Sequence, residues 1–164
     1  MPVRWEVTKG GQDPATVARL LSLLPTWFGI ESSNAAYIEA AHRLPTYLVR
    51  PADHTRAHPD DPVGVLLAER HFPQSAEIHF LAVDPRVHRN GAGRALVHAL
   101  EADLVADGCV LLQVKTLGPS HPDAGYALTR KFYLSMGFLP VEELPDLWGP
   151  QNPCLIMIKA LGQS

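Results

Sequence analysis

The chain has 164 residues, 46% of them hydrophobic, with a formal net charge of −3 at neutral pH. That is close to the size of one ordinary domain with enough apolar content for a real core, so a single domain over residues 1–164 is expected. The mild acidity and the lack of any basic run disfavour nucleic acid, and no apolar run approaches the length of a membrane span.

The chain opens Met-Pro-Val-Arg-Trp-Glu-Val, without the continuous apolar core of a signal peptide, and a cytoplasmic protein is expected. Val3, Trp5 and Val7 alternate with charged residues, which predicts a half-buried first strand. Asp13-Pro14 then starts a helix, Asp as cap and Pro in the first turn. Val17, Leu20, Leu21 and Leu24 make its apolar stripe, and Pro25 ends it. A second helix fits Ser33 to His42, closed by Leu44-Pro45. Thr46–Arg50 and Val63–Glu69 read as a strand pair around a polar loop, Pro51–Asp61. His54, His58, Asp60 and Asp61 in that loop have some appearance of metal ligands. A polar hairpin tip explains them better, and no metal is expected.

Ala76–Val83 is the central strand. Ala76, Ile78, Phe80 and Ala82 form one apolar face, while Glu77 and His79 share the other with Leu81 and Val83. A helix over Gly91–Asp107 carries Ala92, Ala95, Leu96, Ala99, Leu100 and Leu104 at helical spacing and stops at Gly108. Val110–Lys115 follows as a second buried strand, parallel to the first because a helix joins them. A loop over Thr116–Asp123 leads into a helix holding Tyr133 and ended by Gly137. Phe138–Val141 and Cys154–Leu161 complete the sheet. Cys109 and Cys154 each begin a strand without metal-ligand spacing and read as buried free thiols. There is no repeat, linker or low-complexity segment.

The chemistry concentrates between Val83 and Leu96, where a strand runs into a glycine turn that opens a helix. Gly91 and Gly93 remove side chains where an anion must approach the backbone. The helix start aims unpaired N–H groups and its positive dipole end at the same place, and Arg89 and Arg94 add charge. A dinucleotide fingerprint would need Gly or Ala where Leu96 stands, and a P-loop would need Gly-Lys followed by Ser or Thr. Both patterns fail.

The segment resembles instead the acyl-CoA loop of the GCN5-related N-acetyltransferases (GNAT): Gln or Arg, two residues, Gly, one residue, Gly or Ala, directly after a strand ending in Asp or Glu and Pro. Ala82-Val83-Asp84-Pro85 supplies the strand end and Gly91-Ala92-Gly93 the glycines. His88 stands where the family prefers Gln or Arg, and it too is able to donate to a phosphate. Downstream, Phe132-Tyr133 followed by Gly137-Phe138 resembles the family's Phe-Tyr, three residues, Gly-Phe helix end. The resemblance covers Pro62–Leu161. It implies an α/β fold with a mixed, mainly antiparallel central sheet flanked by helices, its two parallel central strands splayed.

The resemblance also implies a cofactor and roles. Acetyl-CoA is the expected co-substrate, held by Leu81, Ala82 and Val83 at the strand edge and by His88, Arg89, Asn90, Gly91, Ala92, Gly93 and Arg94 in the turn. Tyr133 is the expected hydrogen-bond donor to the departing sulfur. The family's Asn seven residues before this Tyr and Ala four before it are Tyr126 and Thr129 here. Glu77 lies in a segment resembling the strand on which histone acetyltransferases of this family carry their general base. Pairing with an Arg or Lys across the sheet is its bland alternative, and His79 is the reserve base. Trp27 and Phe28 are candidates to line an acceptor pocket, with core burial an equal reading; His121 is a candidate from its position before the tyrosine helix. The family's strand order places Cys109 and Cys154 at opposite ends of an antiparallel pair, so no disulfide is expected. The expected partners are acetyl-CoA and a small primary amine, with a homodimer left open. A non-catalytic acyl-CoA sensor and a protein or peptide acetyltransferase stand as alternatives.

Overall fold

The computed structural model describes residues 3–25, 28, 31–53 and 61–162. The elements in order are β1 (Trp5–Lys9), α1 (Pro14–Ser22), α2 (Glu31–Ala40), β2 (Thr46–Pro51), β3 (Gly64–Phe72), β4 (Ser75–Val83), a 3₁₀ turn (Pro85–Val87), α3 (Ala92–Ala106), β5 (Leu111–Leu117), α4 (Ala124–Ser135), β6 (Leu139–Leu144) and β7 (Cys154–Ala160). The strands form a seven-stranded sheet in the order β1-β2-β3-β4-β5-β7-β6. The β1–β2, β2–β3, β5–β7 and β6–β7 pairs are antiparallel, and β4–β5 is parallel, as the α3 crossover between them requires. The mixed, mainly antiparallel architecture is the one the sequence implies. The β4–β5 ladder runs from Ser75 beside Leu111 to Ile78 beside Val114, while β4 itself continues to Val83.

The chain divides into two compact units, residues 1–69 with 79–103 and residues 70–78 with 104–164. In the first, Asp13 caps α1 by accepting from the Thr16 backbone N–H at 3.0 Å and from its hydroxyl at 2.7 Å, which is why the helix starts there. Val17, Leu20, Leu21 and Leu24 then bury against Leu48, Val65, Leu67, Phe80 and Ala82. Helix α2 begins at Glu31 rather than Ser33 and ends at Ala40 rather than His42. His42 and Arg43 close instead as tight turns onto Glu39 and Ala40 at 3.1 Å, ahead of Pro45. Strand β3 runs on to Phe72, past the expected end at Glu69. Of the expected polar loop, residues 54–60, with His54, His58 and Asp60, lie outside the described residues.

In the second unit, β5 and β7 pair from Leu111 beside Ala160 to Leu117 beside Cys154. Cys109 precedes Leu111, its Sγ 3.2 Å from the Gln74 carbonyl, so the two buried thiols sit at opposite ends and are free. Phe138 is fully buried, directly after the left-handed Gly137 that ends α4. Among the described residues, no helix is long and apolar enough to cross a membrane and no cluster of His, Cys, Asp and Glu is arranged to hold a metal ion.

Candidate active site

The glycine turn lies in the first unit and is braced from three sides. Asp84, 1% exposed, caps the 3₁₀ turn by accepting from the Arg86 backbone N–H at 2.9 Å, and the Arg86 guanidinium folds back onto the same carboxylate, its Nη2 2.6 Å from Oδ2. Hydrogen bonding from Arg86 holds the Asp84 carboxyl below its ordinary value. His88 donates from Nε2 to the Val83 carbonyl at 2.8 Å. That bond ties the His88 ring to the strand end through one of its two ring nitrogens. The chain then turns left-handed at Arg89 (φ 66°) and Gly91 (φ 90°), with the exposed Asn90 between them. Trp5 donates its indole N–H to the Asn90 carbonyl at 2.7 Å. Ala92 is buried, Gly93 half-buried, and Arg89 and Arg94 exposed. A helix start with first-turn N–H groups lacking intrahelical acceptors, a glycine-built bend and two exposed guanidinium side chains fit a pyrophosphate. Of the expected strand-edge residues, Leu81 and Val83 are half-buried and Ala82 is buried.

Glu77 sits in the second unit, 5% exposed, and is not alone. Lys115 on β5 donates to both of its oxygens at 3.2 Å, and His71 on β3 lies 2.7 Å from Oε1 by Nε2. Gln113 approaches Oε1 at 3.4 Å. Burying an unpaired carboxylate costs several kcal/mol, and removing one partner of a buried pair costs about 3–5 kcal/mol, so Lys115 supplies the partner that a carboxyl at this depth needs. The cross-sheet lysine of the bland reading is therefore present. Beside it stands an imidazole whose side chain is 41% exposed, which links the buried carboxylate to water. Sequence reading missed both partners. The only signal was alternation: Gln113 and Lys115 occupy every second position of a mainly apolar strand, as Glu69 and His71 do at the end of β3.

His79, the reserve base, is in the first unit. Its Nδ1 lies 3.5 Å from Glu69 Oε2, and the Tyr37 ring meets it edge-on at 5.8 Å. Tyr37 also packs on Phe80 at 4.8 Å and meets Phe28 at 5.9 Å, while Phe28 lies 5.2 Å from Phe80. Phe28 is thus half-buried against the core, and its carbonyl accepts from Asn34 Nδ2 at 2.7 Å. Trp27 lies outside the described residues.

Tyr133, in the second unit, is 4% exposed between Phe132 and Phe138, its ring 5.1 and 5.4 Å from theirs. Burial pushes its phenol well above the ordinary tyrosine range. It stays protonated, a donor rather than a base. His121 lies in a turn with its backbone N–H on the Gly118 carbonyl at 3.1 Å, and its Nδ1 has no hydrogen-bond partner among the described residues. Glu143 on β6 fastens that loop, accepting from the Ser120 backbone N–H at 2.9 Å and its hydroxyl at 2.6 Å. Tyr126 donates its backbone N–H to Asp123, the cap of α4, at 3.0 Å.

Residues 17–138 match the family model described as Acetyltransferase (GNAT) family. No match was found among curated proteins. Solved structures share the fold. A GNAT-family protein from Desulfovibrio desulfuricans superposes with a TM-score of 0.79 at 19% identity, over 97% of this chain and 100% of that one. The ribosomal-protein-S18-alanine N-acetyltransferase of Escherichia coli gives 0.74 at 16%, over 98% and 96%. An aminoglycoside 6′-N-acetyltransferase complexed with coenzyme A gives 0.69 at 21%, over 97% and 98%. With the family model matched over most of this chain's length, the chain belongs to the GNAT acetyltransferases and is an acyltransferase that takes acetyl-CoA as co-substrate.

Proposed function

We propose that the protein acetylates the primary amine of a small cationic molecule by direct attack within a ternary complex. The observation that carries this reading is Glu77: a buried carboxyl paired with Lys115 and touching His71, whose side chain is partly exposed. An acyl-CoA sensor needs no such base. An attacking ammonium must first lose a proton, and a carboxylate within its reach accepts that proton. His71 then passes the charge change to solvent.

Bound acetyl-CoA supplies the acyl group. The chain's own part is to hold the phosphates at Gly91–Gly93 and to give the departing sulfur a hydrogen bond from Tyr133. Its raised phenol argues that the proton is shared with the thiolate rather than surrendered. Tyr133→Phe should lower turnover about ten- to a hundredfold with acetyl-CoA affinity little changed. Because the folded phenol stays protonated above the ordinary tyrosine range, the wild-type rate should show no alkaline fall near pH 10 from this residue, and the variant-to-wild-type ratio should stay constant there. Intact turnover in the variant would make Tyr133 a packing residue.

The experiment that tests the function is a CoA-release screen over small amines, amino acids, polyamines, aminoglycosides and lysine peptides. Turnover is expected with small cationic amines. Turnover confined to peptides would move the acceptor to a protein. Acetyl-CoA binding without turnover of any amine would favour the sensor.

A further inference from the structure

Trp5 and the glycine turn are far apart in sequence and joined in space. The Asn90 carbonyl accepts from the Trp5 indole N–H at 2.7 Å, and a Cβ at Gly91 would lie 3.5 Å from the same indole nitrogen and 3.9 Å from its Cδ1, so the ring covers one side of the turn. The turn needs holding. Arg89 is the only non-glycine residue with positive φ among the described residues, a conformation that costs an L-residue on the order of 1–2 kcal/mol. In a trans peptide the C=O and the following N–H point in opposite directions. Capturing the Asn90 carbonyl on the Trp5 side therefore turns the Gly91 N–H to the other side, where it takes no acceptor among the described residues.

We infer that Trp5 is a positioning residue for the cofactor: by clamping the Asn90–Gly91 peptide it aims the Gly91 N–H at a phosphate of CoA before the cofactor arrives. The inference rests on the turn being the pyrophosphate site. Its chemistry is that of preorganisation. A peptide plane free to flip presents its carbonyl, not its N–H, to an anion for part of the time, and binding then has to select against that state. The clamp comes from β1, outside the loop motif, and from the side of the ring rather than from charge.

Trp5→Phe keeps an aromatic ring and removes only the donor. Calorimetric titration should show CoA and ADP, which share the pyrophosphate, both weakened by the same roughly three- to tenfold factor, the range one neutral hydrogen bond commands, with the thermal midpoint retained. In the wild type, the Trp5 indole N–H resonance, identified by its loss in the variant, should shift on addition of CoA or ADP and stay in place with pantetheine. Trp5→Ala controls for packing: a loss of affinity in Ala with none in Phe would assign the ring a merely structural role and overturn the inference. An indole resonance unmoved by saturating CoA would also overturn it. Failure of the wild type to bind CoA at all would show, before any variant is measured, that the pyrophosphate assignment itself is wrong.

Discussion

Gly93→Asp should reduce acetyl-CoA affinity by at least about a hundredfold in calorimetry while leaving the protein folded. Gly93 stands in the first turn of α3, half-buried, where the N–H groups have no intrahelical acceptors. A carboxylate there competes for those groups, fills space the glycine leaves to the ligand and sets a negative charge against the phosphates. Two orders of magnitude correspond to about 2.7 kcal/mol, modest for an anion meeting a like charge at close range. The same substitution is favourable to the helix itself, since Asp near an N-terminus stabilises the dipole by roughly 0.3–1 kcal/mol. The thermal midpoint should therefore hold or rise, which separates loss of the site from loss of the fold. Unchanged affinity in the folded variant would remove the phosphates from this turn.

The elements legible in the sequence are those whose cause is local. Asp13-Pro14 announces the start of α1, the alternation from Ala76 to Ala82 gives the buried face of β4, and Gly91–Gly93 gives the turn. The parallel β4–β5 pair follows from the helix between them. What escaped depends on register or on distance. Glu77 reads as a costly carboxylate, but its partners His71 and Lys115 come from neighbouring strands, and which residues stand beside it is set by pairing that no single strand encodes. The Trp5–Asn90 bond joins the first strand to a loop 85 positions later. His88, matched to a phosphate-binding position, also donates from Nε2 to the Val83 carbonyl, a contact to the preceding strand that the loop pattern does not express. The 3₁₀ turn at Pro85 was within reach. Asp84-Pro85 repeats the Asp-Pro signal that marked α1, with Arg86 closing on the cap.

The central claim is that Glu77 takes the proton of a cationic amine, and the pH dependence of Glu77→Gln tests it most directly. Gln keeps the shape and an acceptor oxygen for Lys115 but cannot take the proton. At neutral pH, where an amine with a pKa of about 10 is almost wholly protonated, kcat/KM should fall about 10²- to 10⁴-fold, the range of general base catalysis. As pH rises towards the amine's own pKa the neutral nucleophile forms unaided, and the variant should recover towards the wild-type rate. The variant also leaves Lys115 facing a neutral amide, so a double variant with Lys115→Gln, which removes that unmatched charge, should restore stability without restoring the neutral-pH rate. Rate recovery with rising pH in both variants is the result the mechanism requires; a loss of the same size at every pH would leave Glu77 a structural partner of Lys115 and place the base elsewhere.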